Sequence, residues 1–324
     1  MELSRDLIRL TNECWVSRSL HSAVLLRLAD LVGDGSVTFE DLGKATGKNV
    51  QVITAVIRLL SHRGIFEVVD GRVCQTESSR LLCRDHPGRL ADVIEWMGSD
   101  EVWRTLALLP RAENTETTCF ETANGAKLFE YLAQNPDRHA LFDRHMEGYT
   151  KREVAAILNA VDLSPFATIA DIGAGTGVLS GGIAEQYPTA QVTAFDLPGS
   201  KFRALDRDAK VKLAVGDFFV DDLPPANLTI LANVLHDWPD AAAERILRAV
   251  RRSAKPGNHL YIIEGLADAG EEKVDMVNLG MVITTGGRQR TGEHYASMLA
   301  PLDYIVYREV KCSEYVSVLM AKLT

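Results

Sequence analysis

The order of apolar and polar positions changes character near residue 165. Upstream of it the dominant period is helical. Residues 15–32 place Leu20, Val24, Leu28 and Leu31 at spacings of three and four, which predicts one amphipathic helix. Thr38 opens a T-x-x-D capping pattern before a short helix at 39–46, which Gly47 ends. Asn49 starts a second helix whose apolar stripe reads as Val52, Val56, Leu59 and Leu60. Strand-like runs follow at 65–69 and 73–75, joined by Asp70-Gly71, a strong hairpin signal. Helix, turn, helix and hairpin make a winged-helix arrangement. Residues 90–165 read as connecting helices with an apolar middle (Trp96, Trp103, Phe129, Tyr131, Leu132, Phe142, Met146), interrupted by a polar loop at 113–118.

After the break at Leu163-Ser164-Pro165, strand alternates with helix, the grammar of a mostly parallel sheet covered by helices. Strands are expected at 168–172, 191–195, 213–215, 228–232 and 260–264, and helices at 178–186, 241–254, 274–284 and 293–300. Two final strand-like runs, 304–310 and 314–321, are only three residues apart. That gap is too short for a parallel crossover, so the last strand must run antiparallel. The expected division is 1–110, a winged-helix-like domain; 111–165, connecting helices; and 166–324, an α/β domain. A length of 324 residues agrees with more than one domain at roughly 100–200 residues each.

Charge narrows the partners. The chain carries 35 Lys and Arg against 44 Asp and Glu, a formal charge of −9. Over residues 1–110 there are 13 basic and 15 acidic side chains, whereas a DNA-reading face should be distinctly basic. A packing or dimerisation role for this front domain is therefore preferred to a ligand-sensing DNA regulator. No apolar run approaches the roughly 18–20 residues of a membrane span. Met1 is followed by Glu2 and Asp6 with no apolar signal core. The five cysteines are scattered and lack a C-x-x-C pair, which fits a reduced compartment without structural zinc. A cytoplasmic location without nucleic acid, membrane or metal is expected.

Candidate chemistry gathers behind the strands of the α/β region. Asp171-Ile172-Gly173-Ala174-Gly175-Thr176-Gly177 sits between a strand and a helix, where glycines let the backbone turn sharply beside a ligand. Asp196 closes the next strand 19 residues beyond Gly177, where an acid can accept both ribose hydroxyls. The dinucleotide fingerprint G-x-G-x-x-G fails because position 178 is Val. A G-x-G-x-G turn with Asp two residues ahead favours S-adenosylmethionine, which has no phosphate to cradle. Behind the third strand, Asp217 could accept from an adenine amino group and Phe218 could cover the ring; an ordinary turn acid is the alternative. His236 follows the fourth strand, on the side where open α/β sheets bind ligands, and suits proton abstraction. Glu264 ends the fifth strand and could orient that imidazole or simply cap a turn.

Taken in order, DIGAGTG, AFDLPG, GDFF, VLHDWPD, the KPG turn, YIIEG and TGGRQRT resemble the S-adenosylmethionine-dependent O-methyltransferases of the plant caffeate and bacterial antibiotic-tailoring type. The resemblance covers nearly the whole chain. It implies a Rossmann-like class I methyltransferase sheet behind a winged-helix domain that dimerises. It places Asp171, Gly173, Gly175, Gly177, Asp196, Leu197, Gly216, Asp217, Phe218 and Asn233 on the S-adenosyl-L-methionine site. His236 falls on the general base, and Glu264 and Gln289 on the two positions flanking it. Phe142, Met146 and Tyr149 fall on one acceptor-lining helix, Asn278 and Met281 on another. Two residues depart from the pattern: Gln289 replaces the family's usual Glu, and Ala232 replaces the Lys of plant members. The implied reaction is methylation of a hydroxyl on a small aromatic, secondary metabolite by a homodimer. Those departures keep a rival open, in which the same fold performs C-methylation, decarboxylation, hydroxylation or a pericyclic cyclisation.

Overall fold

A computed structural model describes residues 2–113, 117–198, 202, 205 and 210–324. Part of the expected loop at 113–118, and Gly199 of the AFDLPG motif, lie outside the described residues. The chain forms two compact units, residues 1–103 with 137–148 and residues 104–136 with 149–324. In order the elements are α1 (Glu2–Leu25), α2 (Leu28–Val32), β1 (Ser36–Thr38), α3 (Phe39–Thr46), α4 (Val50–Ser61), β2 (Phe66–Val69), β3 (Arg72–Gln75), α5 (Glu77–Arg80), α6 (Leu90–Met97) and α7 (Asp100–Leu106). There follow α8 (Cys119–Asn124), α9 (Leu128–Gln134), α10 (Pro136–Ala160), β4 (Thr168–Ile172), α11 (Val178–Gln186), β5 (Gln191–Asp196), β6 (Val211–Val215) and β7 (Leu228–Ala232). The last are α12 (Asp240–Ser253), β8 (His259–Glu264), α13 (Glu272–Thr284), α14 (Gly292–Leu299), β9 (Tyr304–Lys311) and β10 (Ser317–Leu323).

In the first unit the local signals hold. Thr38 caps α3 by accepting from the Asp41 N–H, and Gly47 ends it in the left-handed region. Asp70 and Gly71 take φ of 48° and 75°, as a two-residue hairpin turn between β2 and β3 requires. Two helical expectations need correction. The helix expected over 15–32 begins at Glu2 and breaks after Leu25, where Arg27 turns left-handed at φ 54°. The break starts a new register, so Leu28, Ala29 and Val32 are buried while Leu31 is exposed. On α4 the buried face is Ile53, Ile57 and Leu60, with Val52 exposed. That helix carries apolar residues on two adjacent stripes, and packing against α1 and β2 selects one of them. The three-residue β1, too short to show a period, pairs antiparallel with β3.

The second unit is built on a seven-stranded sheet in the order β6-β5-β4-β7-β8-β10-β9. The pairs from β6 to β8 are parallel, and β10 runs antiparallel to both β8 and β9, as the short connection demanded. Alternate residues of each strand face opposite layers. Ala170, Leu231 and Ile262 meet Ile246, Leu247 and Val250 of α12, while Ile169, Ile230 and Ile263 meet Leu179 and Ile183 of α11. The final strand begins three residues later than expected, because the Cys312 and Ser313 N–H groups both donate to Val316 O and close a tight loop. Among the described residues, no helix is long and apolar enough to cross a membrane.

Candidate active site

Parallel strands β4, β5, β7 and β8 all end on one edge of the sheet, so the motifs that follow them converge there. After β4 the Gly173 and Ala174 N–H groups donate to Phe195 O at 2.8 and 3.1 Å. Gly173, Gly175 and Gly177 have φ of 77°, 57° and 87°, a conformation that side chains resist. The Asp196 carboxylate grips this turn: Oδ2 accepts from the Gly175 N–H and Oδ1 from the Leu197 N–H, both at 2.6 Å. A negative charge in the turn repels phosphate, while a carboxylate there can accept from hydroxyl donors. At Gly175 an added Cβ would meet nothing within 4 Å, leaving open space for a ligand to lie against the backbone. These residues fit an adenosine-type ligand without a pyrophosphate.

Beneath the turn, Asp171 is buried and its Oδ2 accepts from the Ser180 hydroxyl at 2.6 Å. Burial pushes its carboxyl up to about 6, the Ser180 hydroxyl opposing and the nearby Asp196 adding to the rise. A raised folded-state value means the folded protein loses stability as pH rises from about 4 through about 6. The loss at neutral pH is up to about 3 kcal/mol. Asp171→Asn keeps an acceptor for Ser180 and removes the charge, so the ligand-free variant should melt higher at pH 7–8. The advantage should vanish near pH 4. Thermal melts of both proteins across this pH range check it; a difference independent of pH would contradict the charge argument.

Behind β6, Gly216 packs so closely that a Cβ would stand 2.8 Å from the Phe195 ring. Asp217 spends Oδ1 on the Phe219 N–H at 2.8 Å, closing a turn that presents Phe218. The Phe218 ring lies 4.8 Å from Phe219 and 6.0 Å from Trp238. Asn233, just past β7, is left-handed at φ 52° and its Oδ1 accepts from the Tyr315 hydroxyl at 3.1 Å.

His236 is buried in the loop after β7. Its Nδ1 lies 2.9 Å from Gln289 Nε2 and 3.4 Å from the Tyr315 hydroxyl, and its Nε2 lies 3.9 Å from Asp237 Oδ1. Burial pushes the Asp237 carboxyl up to about 6, His236 pulling it back and Glu264 adding to the rise. Glu264 reaches the same loop, yet it does not hold the imidazole. Its Oε1 accepts from the Val234 and His236 backbone N–H groups, both at 3.1 Å, and its Oε2 accepts from the Tyr295 hydroxyl. The expectation that Glu264 orients the ring is corrected: its position at the end of β8 matches the backbone of the loop, and Gln289 and Tyr315 are the side chains at Nδ1.

Asn278 accepts from the Gln289 N–H at 2.9 Å, which ties α13 to the loop carrying the amide. Met281 lies one turn further along α13, partly buried. Tyr149, also partly buried, has the Arg152 guanidinium 5.1 Å from its ring centre. Phe142 and Met146 belong to the first unit, where the Phe142 ring meets Trp96 edge-on at 5.1 Å. Three residues of this neighbourhood escaped the sequence reading. Arg290, buried within TGGRQRT, donates to Leu235 O and Trp238 O at 2.8 and 2.6 Å and pairs with Asp240 at 2.9 Å. The adjacent motif could have pointed to it. Nothing local marks Tyr295 or Tyr315.

The sequence model of the O-methyltransferase domain family matches residues 103–304. The chain is 30% identical over 329 residues to the phenazine O-methyltransferase of Lysobacter antibioticus, with 99% of this chain and 96% of the relative covered. It is similar to the solved structure of mitomycin 7-O-methyltransferase (26% identity, TM-score 0.91, 100% of this chain and 98% of the other). It is also similar to human N-acetylserotonin methyltransferase solved with S-adenosylmethionine (25% identity, TM-score 0.92, 99% of this chain and 98% of the other). Glycine turn, spaced acid, buried imidazole and a family match over most of the chain agree: this protein belongs to the S-adenosylmethionine-dependent O-methyltransferases.

Proposed function

We propose that the chain methylates a hydroxyl on a small aromatic metabolite, with His236 taking the hydroxyl proton. The observation that carries this reading is the contact between the two motifs. A Cβ on Gly173 would come within 2.6 Å of Val234 Cγ2, so the loop bearing His236 lies directly on the glycine turn. The relatives support the acceptor class, since their names specify phenazine, mitomycin and N-acetylserotonin chemistry. When bound, S-adenosylmethionine supplies a methyl group activated by a positively charged sulfur.

The chain's own residues then divide the work. Gly173, Gly175 and Gly177 leave room over the turn, and Asp196, flanked by Leu197, accepts hydroxyl donors. Gly216, Asp217 and Phe218 present an acceptor and an aromatic face, and Asn233 closes the edge beside His236. Tyr149, Asn278 and Met281 contact the acceptor, and Phe142 and Met146 are assigned to it through the family resemblance. His236 receives the proton at Nε2, while Glu264 and Gln289 hold the loop and the ring. A positioned base contributes roughly 10²–10⁴-fold, and alignment of the reactants roughly 7–11 kcal/mol.

Asp196→Ala tests the cofactor half. Losing the carboxylate strips two backbone N–H groups of their acceptor as well as the ligand hydroxyls of theirs. Affinity for S-adenosylhomocysteine should fall by about 5- to 150-fold, the equivalent of roughly 1–3 kcal/mol. Calorimetric titration reads this directly, and equal affinities would remove Asp196 from the site.

A second copy of the chain is proposed to cover α1. Leu3, Leu7 and Leu10 recur at spacings of four and three and are 82%, 66% and 63% exposed, with Trp15 at 68%. A row of this kind in water favours burial against another chain. Light scattering at micromolar concentration should give twice the 35.6 kDa chain mass, and deleting residues 1–32 should cause aggregation or loss of activity. A monomer mass for the intact protein would contradict this.

A further inference from the structure

A base that accepts a proton at Nε2 must carry its own proton on Nδ1. The network around His236 is arranged for the opposite tautomer. The Gln289 amide N–H groups point to His236 Nδ1 at 2.9 Å and to the Tyr315 oxygen at 3.2 Å. The Tyr315 hydroxyl in turn donates to Asn233 Oδ1 at 3.1 Å, so its one proton is committed. Nδ1 is therefore an acceptor, and the ring proton belongs on Nε2. Asp237 Oδ1, 3.9 Å from Nε2, places negative charge on that side of the ring and favours the same tautomer.

The other charged neighbours are engaged elsewhere. Glu264 spends its oxygens on backbone N–H groups and Tyr295, and Arg290 spends its donors on backbone carbonyls and Asp240. The far end of the Gln289 amide tells the same story. Gln289 is 3% exposed, and its buried Oε1 has no hydrogen-bond partner among the described residues. Turning the amide end for end would put Oε1 beside Nδ1, where it could accept from an Nδ1–H. It would also move two N–H donors to the place without a partner, and buried orphan donors are rarer than under-satisfied acceptors. The orientation with N–H toward Nδ1 leaves an acceptor rather than a donor as the orphan, and no hydrogen bond among the described residues locks its far end.

We propose that Gln289, held in place by Tyr315 and Asn233, decides which nitrogen of His236 carries the proton, and that the ligand-free enzyme rests with the proton on Nε2. Gln289 and Tyr315 are thereby positioning residues for the base. Turning the Gln289 amide converts the resting imidazole into the form with a bare Nε2. A carboxylate in place of Gln289 could only accept, and would hold the Nδ1–H form permanently.

The inference rests on reading His236 as the base, but the tautomer can be measured separately. The experiment is long-range proton–nitrogen correlation NMR on the full chain with nitrogen-labelled histidine, at a pH well above the ordinary imidazole range. His236→Ala identifies the signal among the eight histidines. Wild type should show the proton on Nε2, and Gln289→Glu should move it to Nδ1. Tyr315→Phe removes the acceptor of the second amide N–H, so its ring nitrogens should show shifts averaged between the two forms. Tyr315→Phe also serves if Gln289→Glu does not fold. A wild-type proton on Nδ1, or a Gln289→Glu spectrum still showing Nε2–H, overturns the proposal, as does a Tyr315→Phe spectrum identical to wild type. Full turnover in His236→Ala would instead overturn the base reading and leave the tautomer result standing.

Discussion

His236→Ala lowers kcat by roughly 10²–10⁴-fold while affinity for S-adenosylhomocysteine stays at the wild-type value. The separation follows from geometry: the adenosine-type ligand is assigned to the glycine turn and Asp196, whereas the imidazole contacts Gln289, Tyr315 and the Asp237 side of its loop. Steady-state kinetics with a phenolic acceptor, together with calorimetric titration, reads both quantities. An unchanged rate would mean an acceptor acidic enough to ionise unaided. The same assays, run across pH, give the acid limb of the wild-type rate profile. Gln289→Glu adds a carboxylate against Nδ1, favours the imidazolium and should move that limb to higher pH. Glu264→Gln acts differently, by loosening the backbone of residues 234–236.

The second large effect is expected at Gly287, which packs against the backbone of the loop that carries His236. A Cβ there would stand 2.0 Å from His236 O, 2.5 Å from Asp237 C and 2.6 Å from Trp238 N. All three are backbone atoms, so no side chain can swing aside. Gly287→Ala must displace the loop that carries the base, and misplacement by about 1 Å costs on the order of 10²-fold in rate. Overpacking adds about 1–3 kcal/mol of destabilisation. Turnover should drop by about two orders of magnitude with a lowered melting temperature and near-normal S-adenosylhomocysteine affinity. Wild-type kinetics in this variant would show that the loop can yield without moving the imidazole.

Much of the sheet was legible because its signals are local. Thr168–Ile172 and Leu228–Ala232 form strands at the positions their apolar runs indicated, and Asp70-Gly71 turns as its dihedral needs dictate. Faces were harder than elements. The run from Val50 to Leu60 has apolar residues on two neighbouring stripes, and only its partners in the fold select Ile53 and Ile57 over Val52. The site divides along the same line. Gly173 and His236 follow strands of the parallel sheet and Asp196 ends one, so spacing along the chain reports their common edge. Tyr295 and Tyr315 come from the last third of the chain; Tyr315 reaches the loop because β10 pairs with β8, and Tyr295 reaches Glu264 from α14, long-range placements with no local signature. Glu264 illustrates the limit: its position was readable, but its partners turned out to be backbone N–H groups.

The place of β10 bears on how the protein is made. During synthesis β9 leaves the ribosome before β10, yet in the folded sheet β10 lies between β8 and β9. Until β10 arrives, β8 presents a bare row of backbone donors and acceptors, and β9 has no partner in this sheet. Such an unpaired edge is a template for pairing with other nascent chains. Tyr315 sits just ahead of β10, so the hydroxyl beside the imidazole cannot be seated before that strand inserts. Assembly of the base's surroundings is thus coupled to the closing step of sheet formation. Nascent chains stalled before residue 317 should be both inactive and prone to aggregate.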